Sequence, residues 1–218
     1  MECLSISQIC EMLIKVSADV VESEKLLTEV DLVSGDGDHG ISMALGFGEL
    51  KNMLSCSKDY MTVQDLFIAA GTKLIDTMGG ASGVLFGTFF ISGIRNVESK
   101  YSLSLNDFAL FFFDAFNKIS ERGRAKPGDK TMLDALYPAA LALQEASERS
   151  LSLTEAFSNA AEKAKSGVEA TRDMIASAGR AKDYKELSLG HQDAGATSIF
   201  IIVNAMYEYI ASTEKSTD

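Results

Sequence analysis

The sequence predicts an all-α fold, and three observations carry that prediction. Only two prolines, Pro127 and Pro138, interrupt the 218 residues. Helix-favouring residues such as Ala, Leu, Met, Glu and Lys are abundant along the chain. Apolar residues recur at helical spacing in about eight segments, whereas no segment alternates convincingly as a half-buried strand would. With no linker and no shift in composition, these features favour one all-α domain over residues 1–218.

The predicted helices begin with a segment from Ser5 to about Val30, which opens with the capping-box pattern Ser5-x-x-Gln8. A second capping box, Ser152-x-x-Glu155, opens a later helix. The segments 84-VLFGTFFIS-92 and 197-TSIFIIVNAM-206 could be strands by composition, but both are long and follow glycine-rich loops, so we interpret them as buried helices. The further helices lie at about 41–54, 63–77, 83–96, 106–121, 131–147 with a kink at Pro138, 153–178 and 194–211.

Charge and composition exclude several classes of protein. A net charge of −11 argues against a nucleic-acid or anionic membrane partner, whose binding surface would be basic. The three cysteines are too few and too scattered for a disulfide framework. The chain does not open with a basic region followed by an apolar run, and its most apolar stretches, such as 108-FALFFF-113, are too short to cross a bilayer. A cytoplasmic protein is therefore expected.

Three aspartates crowd the stretch 31-DLVSGDGDHG-40, where the first helical pattern stops. Asp31, Asp36 and Asp38 can converge, and such hard oxygen ligands suit Mg²⁺ or Ca²⁺ rather than zinc. A calcium EF-hand is excluded, because the twelfth position counted from Asp36 is Phe47 instead of a glutamate. An Asx-turn with a helix cap is the alternative, but three carboxylates within eight residues favour a metal site.

Two glycine-rich helix starts, 79-GGASG-83 and 193-DAGATS-198, are typical of anion-binding sites, because backbone N–H groups and the helix dipole favour negative charge there. Each alone could equally be a plain turn between helices. Together with the aspartates they suggest phosphates, with Mg²⁺ between the phosphates and the carboxylates. Such a metal would reconcile an anionic ligand with an acidic protein.

The stretch 123-GRAKPGDKT-131 resembles a P-loop, but Asp129 intrudes before the lysine and a helix precedes it, which excludes that motif. Arg124 and Arg180 lie in glycine-flanked loops, where they could be solvated or bind phosphate. His39 lies inside the aspartate stretch, where a phosphate contact is plausible, whereas the role of His191 stays open. The sequence offers no catalytic triad and no obvious general base, so no catalytic residue is predicted.

The motifs GDGDHG, GGASG followed by LFGTFF, GRAKPGDKTM, GRA and GHQDAGATS occur in this order between about residues 5 and 210. In this set and order the chain resembles the nucleotide-binding (L) subunit family of dihydroxyacetone kinase. The resemblance implies an up-and-down antiparallel barrel of eight helices with ADP or ATP at one end. It implies two Mg²⁺ ions held by Asp31, Asp36 and Asp38. Nucleotide contacts are implied at His39, Gly40, Ile41, Ser42, Ala81, Ser82, Gly123, Met132, Arg180, Asp193, Ala194 and Gly195.

The same resemblance implies the partners. In the family, dihydroxyacetone is held on a histidine of a separate K subunit, and the phosphoryl group crosses the interface, which accounts for the missing base. Either ATP exchanges as a substrate, or ADP stays bound and a phosphotransferase-system M subunit recharges it. A chain with only the L part favours separate subunits, and a homodimer and related ketoses such as erythrulose stay open. Two positions depart from the family pattern, since Ala194 commonly is proline there and Ser42 often is asparagine.

Two other functions compete with this interpretation. The chain could be a non-catalytic regulatory protein that senses a nucleotide or phosphate on the same scaffold, although the complete aspartate trio argues against a degenerate sensor. It could also be a helical structural protein that binds no ligand, in which case neither Mg²⁺ nor nucleotide would raise its melting temperature.

Overall fold

A computed structural model describes residues 2–56, 60–98 and 100–215. Within these ranges almost all regular structure is helical, as the sequence predicts. The α-helices are α1 (Ile6–Glu22), α2 (Glu24–Asp31), α3 (His39–Cys56), α4 (Val63–Met78), α5 (Gly80–Gly93), α6 (Leu105–Gly123), α7 (Leu133–Glu148), α8 (Leu153–Ala170) and α9 (Ala194–Lys215). Two short strands, β1 (Cys3–Ser5) and β2 (Ser102–Ser104), and two 3-10 segments, Thr171–Asp173 and Arg180–Ser188, complete the described elements.

Eight of the described helices close into a ring. Each of α3 to α8 packs against the next helix in the chain, and α9 packs against α1, which in turn packs against α3. The starts of α3, α5, α7 and α9 and the ends of α4 and α6 meet at one end of this ring, so neighbouring helices run antiparallel. The helix α2 lies over α3 and α9. The predicted all-α barrel of eight helices is therefore confirmed.

Phenylalanine side chains fill the middle of the barrel. Phe67 on α4 and Phe111 on α6 have ring centroids 4.9 Å apart, and both rings are buried. Phe89 on α5 meets Phe111 and Phe112 edge to face, at 5.3 and 5.5 Å. Truncating such a buried ring to alanine costs about 3–5 kcal/mol of stability, because the transfer energy is lost and a cavity is left. Among the described residues, this packed interior leaves the ends of the barrel as the places for a ligand.

A two-stranded ribbon covers the other end, called the closed end below. Strands β1 and β2 pair antiparallel, with Leu4 opposite Leu103, and both leucines are fully buried. The strands lead into α1 and α6, which stand on opposite sides of the ring, so the ribbon crosses the barrel and seals it. The sequence prediction of no strands was wrong here, because three-residue strands are too short to show alternation.

Helices that begin at the closed end begin with a side-chain cap. The hydroxyls of Ser5, Thr62, Ser104 and Ser152 each accept a hydrogen bond from a backbone N–H in the first turn of α1, α4, α6 and α8. The predicted capping boxes at Ser5 and Ser152 are both confirmed. Each such cap stabilises its helix by about 1 kcal/mol.

Two predicted helices differ from the observed ones. The first divides at Ser23 into α1 and α2, where the Ser23 hydroxyl bonds back to the carbonyl of Asp19. The helix predicted over 153–178 ends at Ala170, because the carbonyls of Thr171 and Met174 accept hydrogen bonds from the side chain of Lys130 instead of continuing a helix. The tertiary contact overrides the local periodicity at that point.

Within the described part of the chain, α9 is long and apolar enough to cross a membrane by length and composition. Half of its apolar window is buried, and it packs against α1, α7 and α8. This pattern is typical of the core helix of a barrel.

Candidate functional site

A cavity of about 360 Å³ lies at the end of the barrel opposite the ribbon, which we call the open end. It is framed by the starts of α3, α5, α7 and α9, and the loops that precede these helices form its rim. All the metal and nucleotide contacts that the family resemblance implies line it except Gly40 and Ile41. Those that line it are Asp31, Asp36, Asp38, His39, Ser42, Ala81, Ser82, Gly123, Met132, Arg180, Asp193, Ala194 and Gly195. The fold thus gathers residues that are up to about 160 positions apart in the sequence.

Gly40 and Ile41 lie beside the cavity rather than on its wall. A Cβ atom on Gly40 would sit 2.3 Å from the carbonyl oxygen of Glu24 and 2.2 Å from the Thr28 hydroxyl, so only glycine lets α3 approach α2 this closely. The Ile41 side chain is 57% exposed. The part of these two residues in nucleotide binding stays a prediction.

The aspartate loop, residues 32–38, carries Asp36 and Asp38 back towards Asp31 at the end of α2. One carboxylate oxygen from each of the three residues lies within 4.8 Å of those from the other two. Asp31 fixes the loop, because its carboxylate accepts hydrogen bonds from the backbone N–H groups of Gly37, at 2.9 Å, and His39, at 3.2 Å. The carboxylates of Asp36 and Asp38 remain exposed to solvent.

The electrostatics of this loop favour a cation. Burial and the neighbouring carboxyl of Asp36 raise the pKa of Asp38. Desolvation alone would raise the pKa of Asp36 too, but a hydrogen bond with Asp38 and the guanidinium of Arg180, which forms an ion pair with Asp36, bring that pKa below its usual value. Carboxylates that repel one another at this separation are the donor set that a divalent cation stabilises, and Mg²⁺ prefers such oxygen ligands.

The start of α5 faces the carboxylates from the next part of the rim. Gly79 and Gly80 turn the chain with φ of +65° and +57°, a region that other residues rarely adopt. No side chain among the described residues caps α5. The N–H groups of its first turn are therefore left for a ligand, and the helix dipole favours an anion beside them. At the start of α7, by contrast, the hydroxyl of Thr131 accepts from the N–H of Leu133 at 3.3 Å, and the carbonyl of Thr131 accepts from the N–H of Asp134 at 3.0 Å.

His39 joins three helix starts. Its Nε2 lies 2.8 Å from the hydroxyl of Ser198 on α9, and its Nδ1 lies 3.4 Å from the hydroxyl of Ser82 on α5. The Ser198 hydroxyl also lies 3.1 Å from the carbonyl of Ala194. When it donates to that carbonyl, Nε2 of His39 carries the proton and Nδ1 accepts from Ser82. Burial lowers the pKa of His39, which keeps the ring neutral at pH 7.

Asp193 begins α9 at the inner wall of the cavity. Its carboxylate accepts a hydrogen bond of 2.7 Å from the backbone N–H of Ala196, as an N-cap does. Burial raises the pKa of Asp193 to about 7, although the hydrogen bond from Ala196 acts in the opposite direction. Gly195 packs between this carboxylate and Met132, which brings α9 close to the start of α7.

Sequence reasoning missed part of the wall. An apolar floor is formed by Leu85, Phe86, Ile119 and Leu133 from three helices, and only the tertiary fold brings these side chains together. Lys130 also lines the cavity. It lies in the stretch 123–131, whose resemblance to a P-loop was excluded from the sequence. Its glycine-rich surroundings and its place just before a helix were the available signal. Arg124 and His191 do not line the cavity.

Comparison with known proteins agrees with this geometry. The DAK2 domain family matches the chain over residues 33–208. The chain belongs to the DAK2 domain family. A DAK2 relative from Escherichia coli, the ADP-binding subunit DhaL of PEP-dependent dihydroxyacetone kinase, is 37% identical over 204 residues, which cover 93% of this chain and 96% of the relative.

Other DAK2 relatives extend the likeness. The ADP-binding subunit DhaL of PTS-dependent dihydroxyacetone kinase from Lactococcus lactis is 31% identical over 208 residues, covering 95% of this chain and 100% of the relative. The solved structure of the C. freundii dihydroxyacetone kinase with AMP-PNP and Mg²⁺ superimposes with a TM-score of 0.71 at 25% identity, covering 91% of this chain and 33% of that chain. The predicted family is thereby confirmed.

Proposed function

We propose that this chain is the nucleotide-binding subunit of a dihydroxyacetone kinase. In this role it holds ADP or ATP with two Mg²⁺ ions in the open-end cavity, and the whole chain acts as one L-type domain. The observation that carries the proposal is the convergence of three carboxylates and several helix starts on one cavity. Its support is the DAK2 membership together with an ADP-binding subunit and a complex with AMP-PNP and Mg²⁺ among the relatives.

The cavity wall divides by chemistry. The phosphates would lie between the aspartate loop and the start of α5, where Ser42, Ala81 and Ser82 line the wall. The adenosine would lie over the apolar floor, beside Gly123, Met132 and residues 193–195. Bound Mg²⁺ would neutralise charge on the phosphate oxygens, and Asp31, Asp36 and Asp38 would hold it.

The residues of this chain would contribute positioning and charge compensation rather than covalent chemistry. Preorganised N–H donors at the start of α5 would hold the phosphate oxygens in place. The neutral ring of His39, which contacts the Ser82 hydroxyl, would hold the first turn of α5 in place beside the phosphates. Positioning and electrostatic stabilisation dominate the catalysis of phosphoryl transfer, so the chain needs no general base of its own.

The acceptor would be dihydroxyacetone, or a related short ketose, held on a partner K subunit. We propose that the nucleotide is recharged by an M subunit of a phosphotransferase system, since relatives that match this chain over nearly their whole length are named as PEP-dependent or PTS-dependent subunits. Such a relay places the protein in the cytoplasm. The intact aspartate trio argues against the alternative of a purely sensing subunit.

A reconstituted transfer reaction tests this proposal. The purified chain is mixed with a K-type partner from the same genome, dihydroxyacetone and a phosphoryl donor, and dihydroxyacetone phosphate is measured. We expect product only when all components and Mg²⁺ are present, and none with the Asp38→Asn variant. Nucleotide binding without any sugar phosphate would contradict the kinase function and support the sensor.

Mass and absorbance analysis of the extensively dialysed protein distinguishes the two ways of using the nucleotide. Tightly held ADP with about two Mg²⁺ per chain would support a bound coenzyme recharged by the M subunit. Protein free of nucleotide that binds Mg·ATP reversibly would instead support ATP as an exchangeable substrate.

A further inference from the structure

Lys130 is a buried lysine in the loop between α6 and α7. Its side chain is only 1% exposed, although lysine is almost never fully buried without partners. Its backbone has a φ of +61°, a left-handed conformation that is uncommon outside glycine. The loop therefore adopts a strained backbone at the residue that sends its ammonium group inward.

The ammonium group of Lys130 is surrounded by backbone carbonyls. Nζ lies 2.8 Å from the oxygen of Thr171, 3.1 Å from Met174, 2.5 Å from Ser188 and 2.6 Å from His191. Because an ammonium carries three N–H donors, these four acceptors use its whole donor capacity. Lys130 thus lines the cavity wall without a donor to spare for a phosphate.

All four carbonyls belong to one segment, residues 171–193, which we call the strap. It connects α8 to α9 and contains only short 3-10 segments. A second contact joins the strap to the same loop beside Lys130, because the hydroxyl of Ser177 donates a hydrogen bond of 2.8 Å to the carboxylate of Asp129. Without the ammonium, the carbonyls of Thr171 and Ser188 would keep only weak backbone partners, at 3.2 and 3.4 Å, and those of Met174 and His191 would lose the partner that the ammonium provides. Carbonyls left unpaired away from water are costly.

The strap reaches from Lys130 to the aspartate loop. Arg180 forms its ion pair with Asp36, and the hydroxyl of Tyr184 donates to the carbonyl of Gly35 at 2.9 Å. Residues 178–181 form the cavity wall between these points. The position of this wall, and of the guanidinium it carries, therefore depends on the fold of the strap around one buried cation.

We propose that Lys130 is a positioning residue for nucleotide binding, which acts by fixing the strap and with it Arg180 and the aspartate loop. It does so as an internal cation bound by carbonyls, not as a ligand of the phosphates. The effect on nucleotide affinity rests on the proposed function of the cavity, whereas the effect on the strap does not.

The test compares Lys130→Met with Lys126→Met, which removes an exposed lysine from the same loop. Hydrogen exchange of the strap amides is measured without nucleotide, and Mg·ADP affinity by calorimetry. For Lys130→Met we expect strap amides that exchange at least about tenfold faster and an affinity about tenfold weaker, with the core helices unchanged. Lys126→Met should match wild type in both. Unchanged strap exchange in Lys130→Met would overturn the proposal.

Chemical rescue separates positioning from a general loss of stability. In Lys130→Ala, ethylammonium can enter the vacated space and donate to the same carbonyls, so it should restore strap protection and part of the affinity. Tetramethylammonium, which has no N–H donor, should restore neither. Equal effects of the two ions would contradict the proposal.

The proposal can still be tested if Lys130→Met does not fold or if the wild type does not bind Mg·ADP. If Lys130→Met does not fold, Lys130→Arg is measured instead, and its planar guanidinium should still leave the strap less protected than in wild type. Wild-type strap exchange from Lys130→Arg would also overturn the proposal. If wild type binds no Mg·ADP, the proposed function fails, and the exchange comparison still decides the role of Lys130.

Discussion

The two ends of the barrel differ in how the starts of their helices are capped. At the closed end, side-chain hydroxyls cap α1, α4, α6 and α8, and a ribbon with buried leucines seals the interior. At the open end, α5 begins without a side-chain cap in the described part of the chain, although Asp193 caps α9 and the Thr131 hydroxyl accepts from the first N–H of α7. The comparison indicates that the closed end satisfies its own backbone donors, whereas the open end keeps those of α5 for a ligand.

The difference extends to how the loops are held. Around the open end, glycines with positive φ such as Gly37, Gly79 and Gly179 shape irregular loops. Buried polar groups fix these loops, with the ring of His39 joining helix starts and the ammonium of Lys130 gathering the strap. The apolar interior supplies stability and the polar rim supplies geometry, so changes at the rim should alter binding more than folding.

The largest effect is expected for Asp38→Asn. Losing one of three converging carboxylates should weaken Mg²⁺-dependent ADP binding more than about 100-fold. The melting temperature without metal should stay equal or rise, because the pKa of Asp38 is raised by burial and by its neighbour Asp36, and the repulsion is removed. Calorimetry and thermal unfolding measure the two effects, with Glu145→Gln on the outside of α7 as the control. Wild-type affinity in Asp38→Asn would exclude the carboxylates as metal ligands.

A smaller effect, visible in the pH dependence, is expected for Asp193→Asn. The pKa of Asp193 is raised from 3.8 to about 7 in the folded protein. Below pH 4 the carboxyl is protonated in both the folded and the unfolded chain. As the pH rises to 7, the unfolded chain ionises more readily than the folded one, so the folded protein loses stability. The asparagine can still accept from Ala196, so the variant should equal wild type near pH 4 and exceed it by about 1–3 kcal/mol above pH 7. Urea unfolding at several pH values measures this.

The exposed Asp183 of the strap provides the control for that series. Asp183→Asn should follow the wild-type pH dependence throughout. A constant offset between Asp193→Asn and wild type at every pH would show that Asp193 does not titrate in the proposed range.

A charge placed at the uncapped start of α5 should separate stability from binding. Ala81→Asp puts a carboxylate in the first turn, where the helix dipole should stabilise the free protein by about 0.3–1 kcal/mol. The same charge should weaken ADP binding about tenfold through repulsion of the phosphates. Ala81→Asn is the neutral control of equal size. If Ala81→Asp bound ADP as tightly as Ala81→Asn, phosphates would not lie at this helix start.

The smallest effect is expected at the closed end. Ser152→Ala removes the cap of α8 and should cost about 1 kcal/mol, which lowers the melting temperature by about 2–4 °C. The affinity for Mg·ADP should not change, because this helix start faces away from the cavity. A matching loss of affinity would show that the two ends are coupled.

The fold and much of the site could be predicted because their signals are local. A few neighbouring residues are enough to recognise helical periodicity, the capping box at Ser5 and the crowded carboxylates of Asp36 and Asp38. The ribbon could not be predicted, since its pairing joins residues about 100 positions apart in strands too short to alternate. The strap and the apolar floor depend on contacts such as Lys130 with His191, which no local pattern records.

The most direct test of the central claim is calorimetric titration of the dialysed wild-type protein with ADP, once with Mg²⁺ and once with a chelator. With Mg²⁺ we expect one ADP bound per chain, and with the chelator a loss of binding that Asp38→Asn reproduces in Mg²⁺. ADP that bound equally well with the chelator, or not at all after removal of any carried-over nucleotide, would contradict a metal-dependent nucleotide site at the open end.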